Sequence, residues 1–248
     1  MSETNSESQP FQVYKVKLTQ DDVAAFQSAA NSSQCLAIQP DIAEFAFKNS
    51  ASAVTVLANL KLSTTFQSEV CIGKAKEFVS ILSSVNEPEI EVHKNVFFIN
   101  DLKSSAKFRI GQAERTAIEP WIPKKTRFEM KSPSIADFTV TKEDIANIVK
   151  GAKILNHNYV YIESFNNKVR LVSREERIAN ETTKNKVMGG NEFAIVLTGD
   201  VTTEFQVAVK LADFHFIPGD YKVSIHPTEV RVVFVKTDDN ATYWVAIQ

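Results

Sequence analysis

Along the chain, apolar and polar positions alternate in short blocks that pass repeatedly between a two-residue and a helical period. Phe11, Val13, Val16 and Leu18 predict an extended first segment. Thr19 then stands where a helix N-cap belongs, and Asp21 and Asp22 suit the positive end of a helix. Val23, Phe26 and Ala30 share one face at helical spacing, with Asp21, Ser28 and Ser32 expected outward. Short β-like runs follow at 35–39, 44–48 and 53–60. A second helix is predicted over 74–85, where Phe78, Ile81, Leu82 and Val85 form one stripe and Lys76, Ser80 and Ser83 the opposite face. Strands are predicted at 89–92, 96–99 and 106–110.

Residues 112–135 carry three prolines and no clean period, so they read as a long connector. Within it Pro120-Trp121-Ile122-Pro123 is apolar and stiff. Two readings are open: a loop that tucks Trp121 onto its own domain, or an interdomain strap whose apolar residues border a docking groove. Then the pattern restarts. Thr141-Lys142-Glu143-Asp144-Ile145-Ala146 repeats the style of Thr19-Gln20-Asp21-Asp22-Val23-Ala24, 122 positions later. Ile145, Ile148, Val149 and Ala152 make the apolar stripe of this helix, and Asn147 and Lys150 point away from it. Strands are predicted at 159–163, 169–173, 192–197 and 204–209, with a polar excursion over 174–191. Lys210-Leu211-Ala212-Asp213-Phe214 echoes Lys74-Ala75-Lys76-Glu77-Phe78, 136 positions on, and predicts a short fourth helix. The last strands fall at 221–225, 230–235 and 242–247. Two echoes in the same order, on either side of a proline-rich connector, indicate a tandem duplication of a mostly antiparallel α+β unit. The expected boundaries are a disordered tail at 1–10, a first domain at 11–111, the connector at 112–135 and a second domain at 136–248.

Composition narrows the chemistry. The 248 residues hold only seven glycines and neither a G-x-G-x-x-G nor a G-x-x-x-x-G-K-[ST] sequence, so dinucleotide and phosphate-loop readings lose their basis. Cys35 and Cys71 sit in apolar, strand-like contexts and read as buried reduced thiols. His93, His157, His215 and His226 show no metal-ligand spacing, no G-x-S-x-G elbow occurs, and no carboxylate cluster lies in an apolar run. The polar start lacks a signal-peptide pattern and no apolar run spans a membrane, so a cytoplasmic protein is expected, without cofactor or catalytic residues. A formal charge of −2 argues against a protein that grips nucleic acid by charge alone.

The segment FVSILSSVNEPEIEV (78–92) resembles the second helix and following strand of the polymerase sliding clamps of T-even-type bacteriophages. LADFHFIPGDYKVSI (211–225), VRVVF (230–234) and NATYWVAIQ (240–248) are similar to that family's last helix, its Pro-Gly-x-Tyr-Lys turn and its terminal strands. Residues 141–149 sit where the family places the first helix of its second domain. The similarity runs from about residue 11 to 248, with a poor match over 174–190 and the connector.

That resemblance implies the DNA clamp fold: two tandem similar domains, antiparallel sheets outside and four helices lining an inner face. It implies a DNA polymerase processivity factor, not an enzyme, closed head-to-tail into a homotrimeric ring on duplex DNA. An ATP-driven loader would open it, and late-transcription factors would be further partners. The DNA-facing lysines would be Lys74, Lys76, Lys142, Lys150, Lys153 and Lys210. Six acids, Asp21, Asp22, Glu77, Glu143, Asp144 and Asp213, share those helices, so the basic lining expected of a clamp is not obvious in the sequence. Two readings of the lysines stand: an ordinary solvated face, or weak, salt-sensitive phosphate contact. Subunit edges would lie near Ala106, Phe108 and Ile110 on one side and within 183–197, at Phe193 and Ile195, on the other. The partner-peptide groove would include Trp244 and Ala246, with Pro40, Pro227, Trp121 and Ile122 as candidates, and a core position is the rival reading of Trp244. A β-rich phage assembly protein without DNA encirclement is the alternative function, and an α+β hydrolase with a dispersed site a third.

Overall fold

The computed structural model describes residues 11–124, 127–174, 191–198 and 201–248. The expected tail at 1–10 and nearly all of the polar excursion at 174–191 lie outside the described residues.

Both long helices begin with the same device. In α1 (Gln20–Ser32) the Thr19 hydroxyl accepts from the Asp22 backbone N–H, and the Asp22 carboxylate accepts from the Thr19 N–H. In α4 (Lys142–Ile154) Thr141 and Asp144 make the same reciprocal pair. The first box does more. Asp22 is 1% exposed and also accepts from the Ser63 backbone N–H at 2.7 Å and the Ser63 hydroxyl at 2.5 Å. It ties the helix start to the loop after a neighbouring strand.

The strands form repeated sets. One sheet runs β1 (Tyr14–Lys17), β6 (Pro88–Val92), β7 (Val96–Asp101), β8 (Lys107–Gly111). Its counterpart runs β9 (Ala136–Val140), β14 (Tyr221–His226), β15 (Arg231–Lys236), β16 (Ala241–Ala246). A further sheet of the second half is ordered β12 (Glu192–Val196), β11 (Lys168–Arg174), β10 (Tyr159–Phe165), β13 (Gln206–Lys210). In the first half the matching strands are β2 (Leu36–Ile38) paired with β5 (Val70–Ile72), and β3 (Glu44–Lys48) paired with β4 (Val56–Lys61). All these ladders are antiparallel. The β4 strand also pairs with β16, from Ala241↔Leu60 to Val245↔Val56, so one six-stranded sheet joins the two halves.

The helices pack on one face of these sheets through aromatic contacts. Phe26 of α1 stacks on Phe45 with ring centroids 5.1 Å apart, and meets Phe78 of α2 (Ala75–Ser84) edge-on at 5.3 Å. Phe78 in turn meets Phe97 of β7 at 5.5 Å. In the second half Phe216 lies among Phe214, Tyr221, Phe234 and Tyr243, with centroids 4.6 to 5.6 Å away. Much of the abundant phenylalanine thus fills the layer between helices and sheets.

Three features differ from the sequence pattern. The fourth helical element is a single 3-10 turn, Leu211–Asp213, because Phe214 leaves helical geometry and is buried in the core. Ser28, expected outward on α1, is buried: its hydroxyl donates to the His215 carbonyl at 2.6 Å and lies 2.7 Å from the Tyr243 hydroxyl. The connector contains a short helix, α3 (Arg115–Ile118), followed by a 3-10 turn at Glu119–Trp121. It packs over β2 and β5, where Ile118 is buried against Cys35, Ala37 and Cys71. Both cysteines are buried free thiols there.

The two capping boxes allow a direct comparison by urea unfolding. Asp144→Ala removes only a cap and is expected to cost about 1 kcal/mol. Asp22→Ala also strands the Ser63 N–H and is expected to cost about 3 kcal/mol. Equal losses would mean that the Ser63 contacts add nothing to the cap.

Candidate functional site

Three surfaces hold the residues singled out from the sequence. The first is a pair of open strand edges. Among the described residues, both β8 and β12 end their sheets with no neighbour on the outer side. On β8, pairing of Phe108 with Ile99 and Ile110 with Phe97 sets both side chains on the core-facing side. Ala106 precedes the strand and accepts from the Asp101 N–H. On β12, Phe193 and Ile195 face the same way, paired with Ser173 and Leu171. Phe193 lies so close over α4 that a Cβ at Gly151 would come within 2.3 Å of its ring. Only glycine leaves room there.

The internal duplication explains why these edges are apolar. Strand β8 occupies the place of β16, so Phe108 and Ile110 correspond to Tyr243 and Val245, each 135 positions later. Tyr243 and Val245 are 1% and 0% exposed because β4 covers them. Phe108 is 37% exposed. In the same way β12 occupies the place of β4. The two free edges are therefore counterparts of the two strands that already pair within the chain.

The second surface is the helical wall. Lys142, Lys150 and Lys153 are exposed on α4, Lys76 is exposed on α2, and Lys74 stands at the N-terminal end of α2, paired with Glu77 at 3.1 Å. Lys210, half-buried, enters the 3-10 turn. Lys153, Lys210 and His215 line a cleft of about 490 Å³ between α4 and that turn. Burial pushes the His215 pKa down, and the charges of Lys153 and Lys76 push the same way, against the opposing pull of Asp213. The charges of Lys76 on α2 and Lys153 on α4 thus both act on one histidine, although only Lys153 lines its cleft. Several of the acids on these helices are engaged elsewhere. Asp22 and Asp144 belong to capping boxes, and Asp213 turns inward to accept from the Thr55 hydroxyl at 3.0 Å.

The third surface is on the opposite face of the six-stranded sheet. Lateral pairing sets Lys48, Leu57, Trp244 and Val233 in one row across β3, β4, β16 and β15. Trp244 is half-buried, and Phe128 from the end of the connector meets its ring edge-on at 4.7 Å. Ala246 and Arg231 pair in the neighbouring row. Pro227 opens the adjoining turn, which is held by Val230 donating to Pro227 and Ile247 donating to Val230. The structure therefore brings Trp244, Ala246 and Pro227 to one place. Trp121 and Ile122 pack instead with Ile118 on the first half, and Pro40 bridges to Phe66 beyond the other end of β3. Sequence reasoning missed Phe128, Lys48, Arg127 and Arg231. The available signal was a lone aromatic in the basic run 124–131, and an arginine at the outward end of a valine-rich strand.

No protein-family model matches the chain. Over 176 residues it is 25% identical to the sliding clamp of Vibrio phage KVP40, a match that covers 70% of this chain and 75% of that protein. Among solved structures it is similar to the proliferating cellular nuclear antigen of Entamoeba histolytica, with a TM-score of 0.69 and 12% identity over 94% of this chain and 98% of that one. It is also similar to the Helicobacter pylori beta clamp bound to a DNA ligase peptide, with a TM-score of 0.66 and 11% identity, covering 97% of this chain and 66% of that one. The fold is the α+β clamp fold.

The charge acting on His215 has a spectroscopic consequence. Removing positive charge in Lys153→Ala is expected to raise the His215 pKa toward its ordinary value, followed by NMR titration of the ring protons. An unchanged midpoint would place Lys153 out of range of the histidine.

Proposed function

We infer that this chain is a sliding clamp of the phage type, a non-enzymatic protein that encircles duplex DNA and tethers the replicative polymerase for processive synthesis. The observation that carries the reading is the match between the in-chain joint and the free edges. A β4–β16 ladder joins the halves, and the counterparts of those two strands stand open, one in each half. Pairing β8 of one copy with β12 of the next repeats the internal joint and buries Ala106, Phe108 and Ile110 against Phe193 and Ile195. Such a head-to-tail contact closes into a ring when the rotation allows it. It also covers edges that otherwise invite aggregation.

Copy number follows from the bore. Each copy offers four helical segments to the inner wall, taking residues 11–111 and 136–248 as its two clamp domains. At ~8–10 Å between neighbouring axes, three copies set those axes on a circle roughly 32–38 Å across. Subtracting helices ~10–12 Å thick leaves a passage that admits a duplex. Two copies leave a hole too tight for one. The ring is therefore a homotrimer. Lys74, Lys76, Lys142, Lys150, Lys153 and Lys210 face the phosphates, giving contact that depends on salt and ignores sequence.

Closing such a ring around DNA calls for an ATP-driven loader, and the outer groove at Trp244 and Ala246 receives the tails of the polymerase and of other partners. Late-transcription factors fall in the same class. The place of work is the cytoplasm of a bacterial host.

Sedimentation equilibrium is expected to give about 83 kDa, three times the 27.7 kDa chain. Phe108→Asp, at a position already partly exposed, is expected to leave the fold intact and raise the dissociation constant at least ~10-fold. Loaded protein should stay on nicked circular DNA and run off after linearisation. A strict monomer that leaves polymerase run length unchanged overturns the clamp reading and returns the chain to a β-rich assembly protein.

A further inference from the structure

The apolar floor of the outer groove is bordered by positive charge that no acid meets among the described residues. Arg231 follows the same outward face of β15 as Val233, and its Nη1 is buried without a hydrogen-bond partner. Lys48 lies at the other end of the Trp244 row, its ammonium donating to the Ala51 carbonyl at 3.3 Å. Arg127 sits next to Phe128, whose ring rests on Trp244, and its charge acts on both Arg231 and Lys48. Lys124 adds to the charge felt by Lys48.

The nearby acids are occupied or stand apart. Glu229 accepts from the backbone N–H groups of Lys131 and Ser132. Glu44 accepts from Asn59. Glu129 is exposed and forms no ion pair with any of the four cations among the described residues. A guanidinium stays charged at any pH the protein meets. A buried guanidinium nitrogen without an acceptor is costly unless an anion completes it.

We propose that the groove selects partner segments in which acidic side chains flank the apolar anchor: the anchor rests on the half-buried Trp244 and Ala246, over the buried Leu57 and Val233, and a carboxylate sits between Arg231 and Arg127. The inference rests on the reading of this surface as a partner groove and specifies the peptide it takes. The ligand is a peptide because the cations surround an apolar floor on the face opposite the helices, out of reach of a duplex in the bore. A carboxylate also matches the planar fork of an arginine in a bidentate pair. The distance fixes a pattern. From β3 to β15 is three inter-strand steps, about 14 Å. An extended chain covers that in about four residues. A second acid about four positions from the first therefore meets Lys48.

The test uses a fluorescein-labelled, C-terminally amidated peptide with a Leu-Phe anchor between two aspartates about four residues apart, and its Asp→Asn twin. Binding to the intact clamp is read by anisotropy at low and moderate salt. The aspartate peptide is expected to bind about 10-fold tighter than the asparagine peptide, with the gap narrowing as salt rises. Arg231→Gln or Arg127→Gln is expected to close the gap without weakening the asparagine peptide, and Arg231→Lys to retain part of it. Arg127 is exposed on the connector, so its variant keeps the test sound if the Arg231 variant fails to fold. Equal affinities for the two peptides, with Trp244→Ala weakening both, overturn the acidic preference and leave the groove standing. Failure of both peptides to bind, or binding that Trp244→Ala leaves unchanged, overturns the groove itself. Displacement of the peptide by a short single-stranded oligonucleotide at equal concentration assigns the cations to nucleic acid and also overturns the proposal.

Discussion

The antiparallel ladder between β4 and β16 is the contact on which the rest of the molecule depends. It links the last strand of the chain to a strand of the first half, so the two halves share one sheet and cannot rotate freely. Side chains lock the same boundary from the helical side. The Ser28 hydroxyl reaches the His215 carbonyl and the Tyr243 hydroxyl, and Tyr243 accepts from the Ile217 N–H. Thr55 and Asn49 donate to Asp213. A fixed angle at this joint holds α2 and α4 in one orientation relative to each other. It also fixes the angle at which the two free edges are presented to further copies.

The near-neutral charge takes on meaning once the acids are located. In the sequence the lysines and acids of the helical segments cancel. In the structure Asp22 and Asp144 cap helices, Glu77 pairs with Lys74, and Asp213 faces the joint. Lys76, Lys142, Lys150 and Lys153 form no ion pair among the described residues and remain exposed. Net charge therefore understates the positive character of the wall. The excess is still small, and it is screened within about 10 Å at ordinary ionic strength. Weak, movable contact is what a ring held by topology requires.

Much of this was legible in the residues. Thr19-x-x-Asp22 and Thr141-x-x-Asp144 announced both long helices, because a capping box is local chemistry that needs no distant partner. The strand at Phe108 and Ile110 was legible from its residues, but its place at a sheet edge entered only through the family resemblance, because an edge is defined by a missing neighbour and not by local pattern. Ser28 was misplaced because its burial comes from Tyr243, more than two hundred positions away. The connector helix was missed because a four-residue RTAI segment has too few turns to show a period; its burial on Cys35 and Cys71 comes from tertiary packing. On the outer face, Trp244 and Ala246 were named through the family resemblance, whereas Phe128, Arg127 and Lys48 join them only through the tertiary fold and the sheet register.

Duplication also explains why the outer surface around Trp244 occurs once per chain although its strand ladder has a counterpart in the other half. The counterpart of Trp244 on β8 is Arg109, since Trp244 pairs with Val233 and Arg109 with Phe98 in equivalent ladders. The counterpart of Arg231 is Val96, by the same register. The core-facing residues of the two strands stayed apolar, Phe108 for Tyr243 and Ile110 for Val245, because any strand pairing there must bury them. The outward residues were free to diverge. The internal joint gained an aromatic floor, a connector crossing over it and a border of cations, while the free edge kept an arginine in the aromatic's place. A ring built from such copies alternates two kinds of joint with the same inner packing and different outer faces. On the proposed ring the aromatic floor would recur at every second joint, so the number of such surfaces would equal the number of chains and not the number of domains.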